Sequence, residues 1–409
     1  MTANTPTIDA AAASRRIGLV TFIGGLGGGL VFPILPALGL QLGIAGGMIG
    51  LILSANRITR MAFDPVAGRL VDRLGGKGPL ALGLVIECIG ILGYSAGLHL
   101  GTPAWWFLGG RALFGVGSAL LLVGAQASVL GLSGDADRGR LTATVRIAMG
   151  LGLPGGLVLG GLIADRASDD TAFLVGAALT LLGALAALRL VPSAAHRPHR
   201  HHGRQGLPLR QLPGFPVLVS AWGFNLLIFL SVQGVLLATL VVLVHQRGLH
   251  LLGMADQGTG GLVMAAMMAC SSLTALTLGR WLDRLALRSS VLLPALVVLA
   301  TGFALLGLAH DLRLLLLGAI LVGVSFNGVN LPMLVLLGDA TGAQQYGRAV
   351  GAYQLFGDVG GSIGPIAGLE VGLHFGLLPT YLAVGALVLA SIPAAVWINR
   401  RERSRTGDR

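Results

Sequence analysis

Nothing constrains the fold of this chain more than its succession of long apolar runs. They lie near 16–42, 46–71, 79–99, 104–132, 141–164, 171–191, 215–244, 258–282, 290–309, 312–338, 347–374 and 377–399. Each is close to the ~20 residues that carry a helix across the hydrocarbon core. A transmembrane barrel would show short alternating segments instead, and these runs are continuous. The runs fill nearly the whole chain, and only 11% of its residues are charged, against about 25% in soluble domains. The expectation is an all-α polytopic membrane protein with twelve transmembrane helices and no soluble catalytic domain. The sequence holds no nucleophile–base pair, metal-ligand constellation or phosphate-binding loop, so neither an enzyme nor a cofactor is expected. "GGLGGG" at 24–29 follows no strand and lacks nucleotide-loop spacing; it predicts close packing or bending of the first helix.

The basic residues orient the chain. With the N-terminus inside, the inner loops and tail collect 21 Lys and Arg, from Arg15 and Arg16 to Arg409, whereas the outer loops receive only Arg166, Arg247 and Arg313. This bias predicts both termini on the cytoplasmic face of an inner membrane. It explains the net charge of +11 as topology, without a nucleic-acid partner. The basic tail "NRRERSRTGDR" also suits anionic headgroups of the bilayer. Cys88 and Cys270 fall in separate runs and suggest buried packing, with no disulfide.

The least apolar internal stretch, 192–214, reads as a cytoplasmic linker between two bundles of six helices, 1–191 and 215–409. Its His196, His199, His201 and His202 lack a neighbouring carboxylate or thiol, so no metal site is expected. The halves repeat each other. "GRLVDRLGGK" at 68–77 returns as "GRWLDRLALR" at 279–288, and "RGRLTATVRIAMGLGLPGG" from 138 as "YGRAVGAYQLFGDVGGSIGP" from 346. Two similar units with the same basic turn on one side of the membrane form a parallel repeat, which suits a rocking transporter.

Gly68-x-Leu70-x-Asp72-Arg73-x-Gly75-x-Lys77 resembles the signature loop of the major facilitator superfamily, with a degenerate copy at Gly279, Asp283, Arg284 and Arg288. "GGRALFGVGSALL", carrying Arg111, is similar to the fourth-helix motif of that superfamily's drug–proton antiporters. "GLGLPGGLVLGG" at 150–161 is similar to the fifth-helix motif of its exporters, with Leu153 before Pro154 where the family has glycine. The resemblance implies two pseudo-symmetric six-helix bundles, the major facilitator fold. It also implies a conformational latch at Gly68, Asp72, Arg73, Gly75, Lys77, Asp283 and Arg284. Physically, Asp72 would face the positive amino end of the eleventh helix.

The charges inside the runs need explanation. Arg57, Arg60 and Asp64 in lipid would cost about 8–10 kcal/mol together on insertion scales, so they must face protein or a water-filled cavity. Arg57 and Asp64 share a helix face, and Arg60 and Asp64 have pairing distance in sequence. Arg60 lies roughly 18 Å from the inner boundary, and Asp358 on the eleventh run lies at similar depth. The resemblance sets these two helices face to face, so Arg57 or Arg60 is expected to pair with Asp358 in one conformation only. A carboxylate that alternates so changes its proton affinity. Glu87 and Arg111 complete the candidate charge relay, and Arg146 reads as a snorkelling residue. Arg111 aligns with Ala319 in the second half and is therefore unmatched.

Uncharged polar and aromatic residues outline a substrate surface: Phe32, Gln126, Asn225, Gln233, Asn327, Asn330, Tyr353 and Gln354, with Arg111 among them. Interhelical hydrogen bonding is the alternative role for each. The function expected is secondary transport by alternating access, with proton-coupled export of small amphiphilic molecules and a monomer sufficing. Four buried arginines also fit an organic-anion, metabolite or siderophore transporter, and a transporter-like membrane sensor is the third reading.

Overall fold

In hydrocarbon every backbone N–H and C=O must be satisfied within its own segment, and continuous apolar runs do this as helices. The computed structural model describes residues 10–132, 138–192, 209–212, 214–282, 284–285, 287–341 and 345–407. Among these, every regular element is helical: α1 (Ala10–Leu30), α2 (Leu35–Gln41), α3 (Gly46–Leu74), α4 (Lys77–His99), α5 (Pro103–Leu132), α6 (Arg138–Arg166), α7 (Asp169–Leu190), α8 (Phe215–Ile228), α9 (Leu237–Arg247), α10 (Asp256–Leu282), α11 (Leu292–Leu308), α12 (Leu312–Ala340), α13 (Tyr346–Phe375), α14 (Leu377–Ala390) and α15 (Ile392–Gly407). A π-helical stretch, Phe229–Leu236, joins α8 to α9. The first run is interrupted at 31–34, around Pro33, so it comprises α1 and α2. Ten spans among the described residues are long and apolar enough to cross a membrane. The other two long helices, α3 (29 residues) and α13 (30 residues), are those that carry Arg57, Arg60, Asp64 and Asp358.

The helix ends follow local chemistry. Ser168 caps α7 by accepting from the Thr171 N–H at 3.1 Å, and Asp311 caps α12 by accepting from the Leu314 N–H at 2.8 Å. Each satisfies one of the donors that a helix start leaves orphaned. Gly75, in the turn between α3 and α4, has φ +77°, a left-handed conformation that favours glycine.

The chain divides into two units. The first comprises Met1–Ile34 and Ala55–His201; the second comprises Leu35–Ser54 and His202–Arg409. The tip formed by α2 and the start of α3 thus groups with the second unit. Within the first unit α4 packs on α5 and α7, and α1 packs on α6. Within the second, α11 packs on α12 and α14, and α13 packs on α8 and the π-helical stretch. There, Ser54 Oγ donates to the Ser362 carbonyl at 2.5 Å, and Gly50 lies so near α13 that a Cβ would stand 2.5 Å from Ile366 Cα.

The repeat recurs in each unit's packing. A Cβ on Gly90 or Gly110 would strike the other's carbonyl, and Gly302 and Gly318 form the same reciprocal pair. A Cβ on Gly115 would strike the Asn56 carbonyl, and one on Gly323 the Met267 carbonyl. Gly152 meets Phe22 O as Gly360 meets Leu226 O, and Gly156 meets Leu26 O as Gly364 meets Leu230 O. Such glycine crossings let helix backbones approach closely in a membrane. On the first and seventh runs the offset is 204 at Leu26 and Leu230, then 205 at Gly29 and Gly234. The slip of one residue falls inside the π-helical stretch, and one inserted residue is what a π turn accommodates.

Candidate functional site

The repeat supplies an internal control for every buried polar residue. α4 and α5 cross at Gly90 and Gly110, and around that crossing the first unit buries Glu87, Tyr94, Arg111 and Ser118 at 9% exposure or less. Registered on Gly302 and Gly318, the corresponding residues of α11 and α12 are Leu299, Leu306, Ala319 and Phe326. The same helix crossing is therefore built with apolar residues in the second unit. The fold does not require the polar set, and burying it is expensive.

Its hydrogen bonding is incomplete. Ser118 Oγ donates to Glu87 Oε1 at 2.9 Å. Glu87 Oε2, the Tyr94 hydroxyl and all three Arg111 side-chain nitrogens make no well-aligned hydrogen bond among the described residues, although Arg111 and Tyr94 are near enough to interact electrostatically. The Arg111 guanidinium is fully buried and lies 4.9 Å from the centre of the Phe32 ring and 5.9 Å from that of Phe114. Ring faces attract a cation, but they accept no conventional hydrogen bond from its five N–H groups. Glu87, Tyr94 and Arg111 thus form a charged, under-satisfied cluster inside an apolar unit, the kind of arrangement that concentrates at functional sites. Tyr94 and Ser118 escaped the sequence reading, although each lies seven residues after a flagged charge, on the same helix face.

The remaining candidates divide between the units. In the first, Arg57, Arg60 and Asp64 are half-buried on α3, Gln126 is exposed on α5, and Phe32 occupies the break after α1. Gly68, Asp72, Arg73, Gly75 and Lys77 gather at the end of α3 and the following turn, with Asp72 and Arg73 exposed. Arg146 on α6 is exposed, as a snorkelling residue would be. In the second unit, Asp358 and Gln233 are half-buried and Gln354 is exposed. Arg284 is exposed; Asp283 and the linker histidines lie outside the described residues.

Three polar candidates of the second unit close on one another. Asn225 Nδ2 donates to the Tyr353 carbonyl at 2.6 Å, Asn330 Nδ2 donates to Asn225 Oδ1 at 3.1 Å, and the Tyr353 hydroxyl donates to the Asn330 carbonyl at 3.1 Å. Asn327 Nδ2 donates to Ser271 Oγ at 2.7 Å. These bonds tie α8, α10, α12 and α13 together.

Known proteins resemble the chain along nearly its whole length. The family model described as Major Facilitator Superfamily matches residues 17–256 and 252–409. Multidrug resistance protein 1 of Bacillus subtilis is 26% identical over 381 residues, covering 90% of this chain and 93% of that protein. The uncharacterized transporter YhhS of Escherichia coli is 28% identical over 367 residues, covering 86% and 83%. Among solved structures, the nucleoside transporter NupG aligns with TM-score 0.75 at 18% identity, covering 94% and 98%. The human organic anion transporter MFSD10 aligns at 0.61 with 18% identity, covering 93% and 98%.

Proposed function

Because the chain belongs to the major facilitator superfamily and is a multi-pass membrane transporter, we propose that it exports small amphiphilic molecules across the inner membrane in exchange for protons. The observation that carries this reading is the Glu87–Tyr94–Arg111 cluster, present in one unit and replaced by apolar residues at the equivalent crossing of the other. A transporter that couples two fluxes needs a titratable, desolvated group whose partner changes with conformation. The likeness to a Bacillus multidrug resistance protein supports efflux. The basic-residue asymmetry supports cytoplasmic termini, and a single chain suffices as the working unit.

In this scheme Asp358 on α13 carries the exchanged proton, and Arg57 or Arg60 on α3 holds it ionised in one conformation. Asp64 balances the neighbouring arginine. Glu87 and Arg111 set the electrostatics of the first unit, and the turn containing Asp72, Arg73 and Lys77 acts as the latch between conformations. A second reading, transport of organic anions, draws on the fully buried Arg111 guanidinium and on the likeness to an organic anion transporter.

Reconstitution in liposomes with a pH-sensitive dye inside tests both. Antiport predicts that a cationic amphiphile such as ethidium discharges the proton gradient with wild-type protein, and that Asp358→Asn and Arg111→Ala abolish the discharge. Discharge by aromatic carboxylates but not by ethidium would replace the first reading with the second. No exchange with any amphiphile would overturn both.

A further inference from the structure

The tail helix α15 carries one acid, Glu402, among Arg400, Arg401 and Arg403. Its carboxylate docks within the second unit. Glu402 Oε1 accepts from the Arg288 N–H at 3.0 Å, and Oε2 accepts from the Ser289 N–H at 2.9 Å. These N–H groups open the short 3₁₀ turn Arg288–Val291 that leads into α11. A helix start presents unsatisfied donors and a positive end, and two charge-assisted hydrogen bonds from one carboxylate satisfy two of them. The Arg288 side chain turns away to pair with Asp339 at the end of α12. The tail is seated by Ala395 and Ile398, each 2% exposed, and Arg401, 5.2 Å from the centre of the Trp397 ring one turn earlier, braces the helix internally.

Arg288 is the last residue of the second copy of the signature turn, the counterpart of Lys77 in the first copy. The stretch after the sixth span, 191–214, contains no carboxylate, so the first copy has no such clasp from its own tail. We infer that α15 is an intramolecular strap, with Glu402 closing the second signature turn permanently onto its own unit, so that conformational switching is left to the first copy. Glu402 is a positioning residue, and the inference does not depend on what the protein transports.

Amide hydrogen exchange over 287–292, followed by mass spectrometry in nanodiscs, tests it. Glu402→Gln, and separately a chain ending at Arg401, should speed exchange at Arg288 and Ser289 at least tenfold. Arg288→Ala keeps the backbone donors and should leave Ser289 protected. Asp72→Asn, which disables the first copy, should leave both amides as slow as in the wild type. Unchanged exchange in Glu402→Gln and in the shortened chain would overturn the strap. So would a loss of Ser289 protection in Arg288→Ala as large as in Glu402→Gln, since the ion pair would then hold the turn. Faster exchange at these amides in Asp72→Asn would mark a state-dependent latch and overturn the claim of permanence.

Discussion

Replacing Arg111 by methionine should make the protein more stable and unable to transport. A guanidinium at 0% exposure whose nitrogens make no well-aligned hydrogen bond among the described residues carries a desolvation cost of several kcal/mol. Each unmet donor group adds about 1–3 kcal/mol. Against this stand the interaction with the Tyr94 hydroxyl and the Phe32 and Phe114 ring faces at 4.9 and 5.9 Å, each ring worth roughly 0.5–2 kcal/mol when desolvated. The costs exceed the return. Methionine is unbranched and adaptable enough to occupy the vacated volume, and the equivalent crossing already accepts Ala319. The prediction is a gain of about 1–4 kcal/mol, the range seen when buried charges give way to packed apolar side chains. Thermal unfolding in detergent, with liposome exchange on the same preparation, measures both halves. A lowered unfolding temperature would show that the guanidinium is structurally satisfied. Wild-type exchange would show that the charge has no part in transport. Either result refutes the reasoning.

Four further outcomes are expected. Gly50→Val should lower the unfolding temperature and stability by about 1–3 kcal/mol, as overpacking does, because a Cβ there would stand 2.5 Å from Ile366 Cα. Ser118→Ala should cost about 1–3 kcal/mol in the same assay by removing the hydrogen bond to Glu87, with exchange kinetics showing whether transport falls with it. Exchanging the charges of Arg57 or Arg60 with Asp358 should restore part of the transport lost in the single variants; failure in every combination counts against the pairing. His245→Gln should change stability by less than about 1 kcal/mol, since the His245–Asp256 contact at 2.6 Å joins a histidine side chain that is 68% exposed.

The fold was legible because lipid leaves the backbone few options: apolar runs of spanning length must be helices. The repeat was legible in the signature turns, and the packing carries it further, down to reciprocal glycine pairs. Less visible were the places where local geometry departs from a plain helix. Pro33 and Pro36 marked the first run, but its division between units depends on what α2 and the start of α3 pack against. The π turn at 229–236 leaves no trace in the hydropathy pattern, and Ser231 and Gln233 within it do not mark it. At the candidate site Glu87 and Arg111 stood out as charges, whereas Tyr94 and Ser118 looked like ordinary packing residues. Asn225, Asn330 and Tyr353 read as a binding surface, and the bonds of their side chains to one another or to a backbone carbonyl are visible only in the packing. Glu402 was hidden by its neighbours, because a lone acid among arginines reads as a headgroup-facing tail until its two backbone donors are seen.

The break at 31–34 has a mechanical corollary. Phe32, one of the two rings covering the Arg111 charge, rides on the turn where the chain leaves the first unit for the second. A bend at that joint would carry the ring with it and change how well the cation is screened. A change of backbone angle there would thereby become a change of electric field within the first unit.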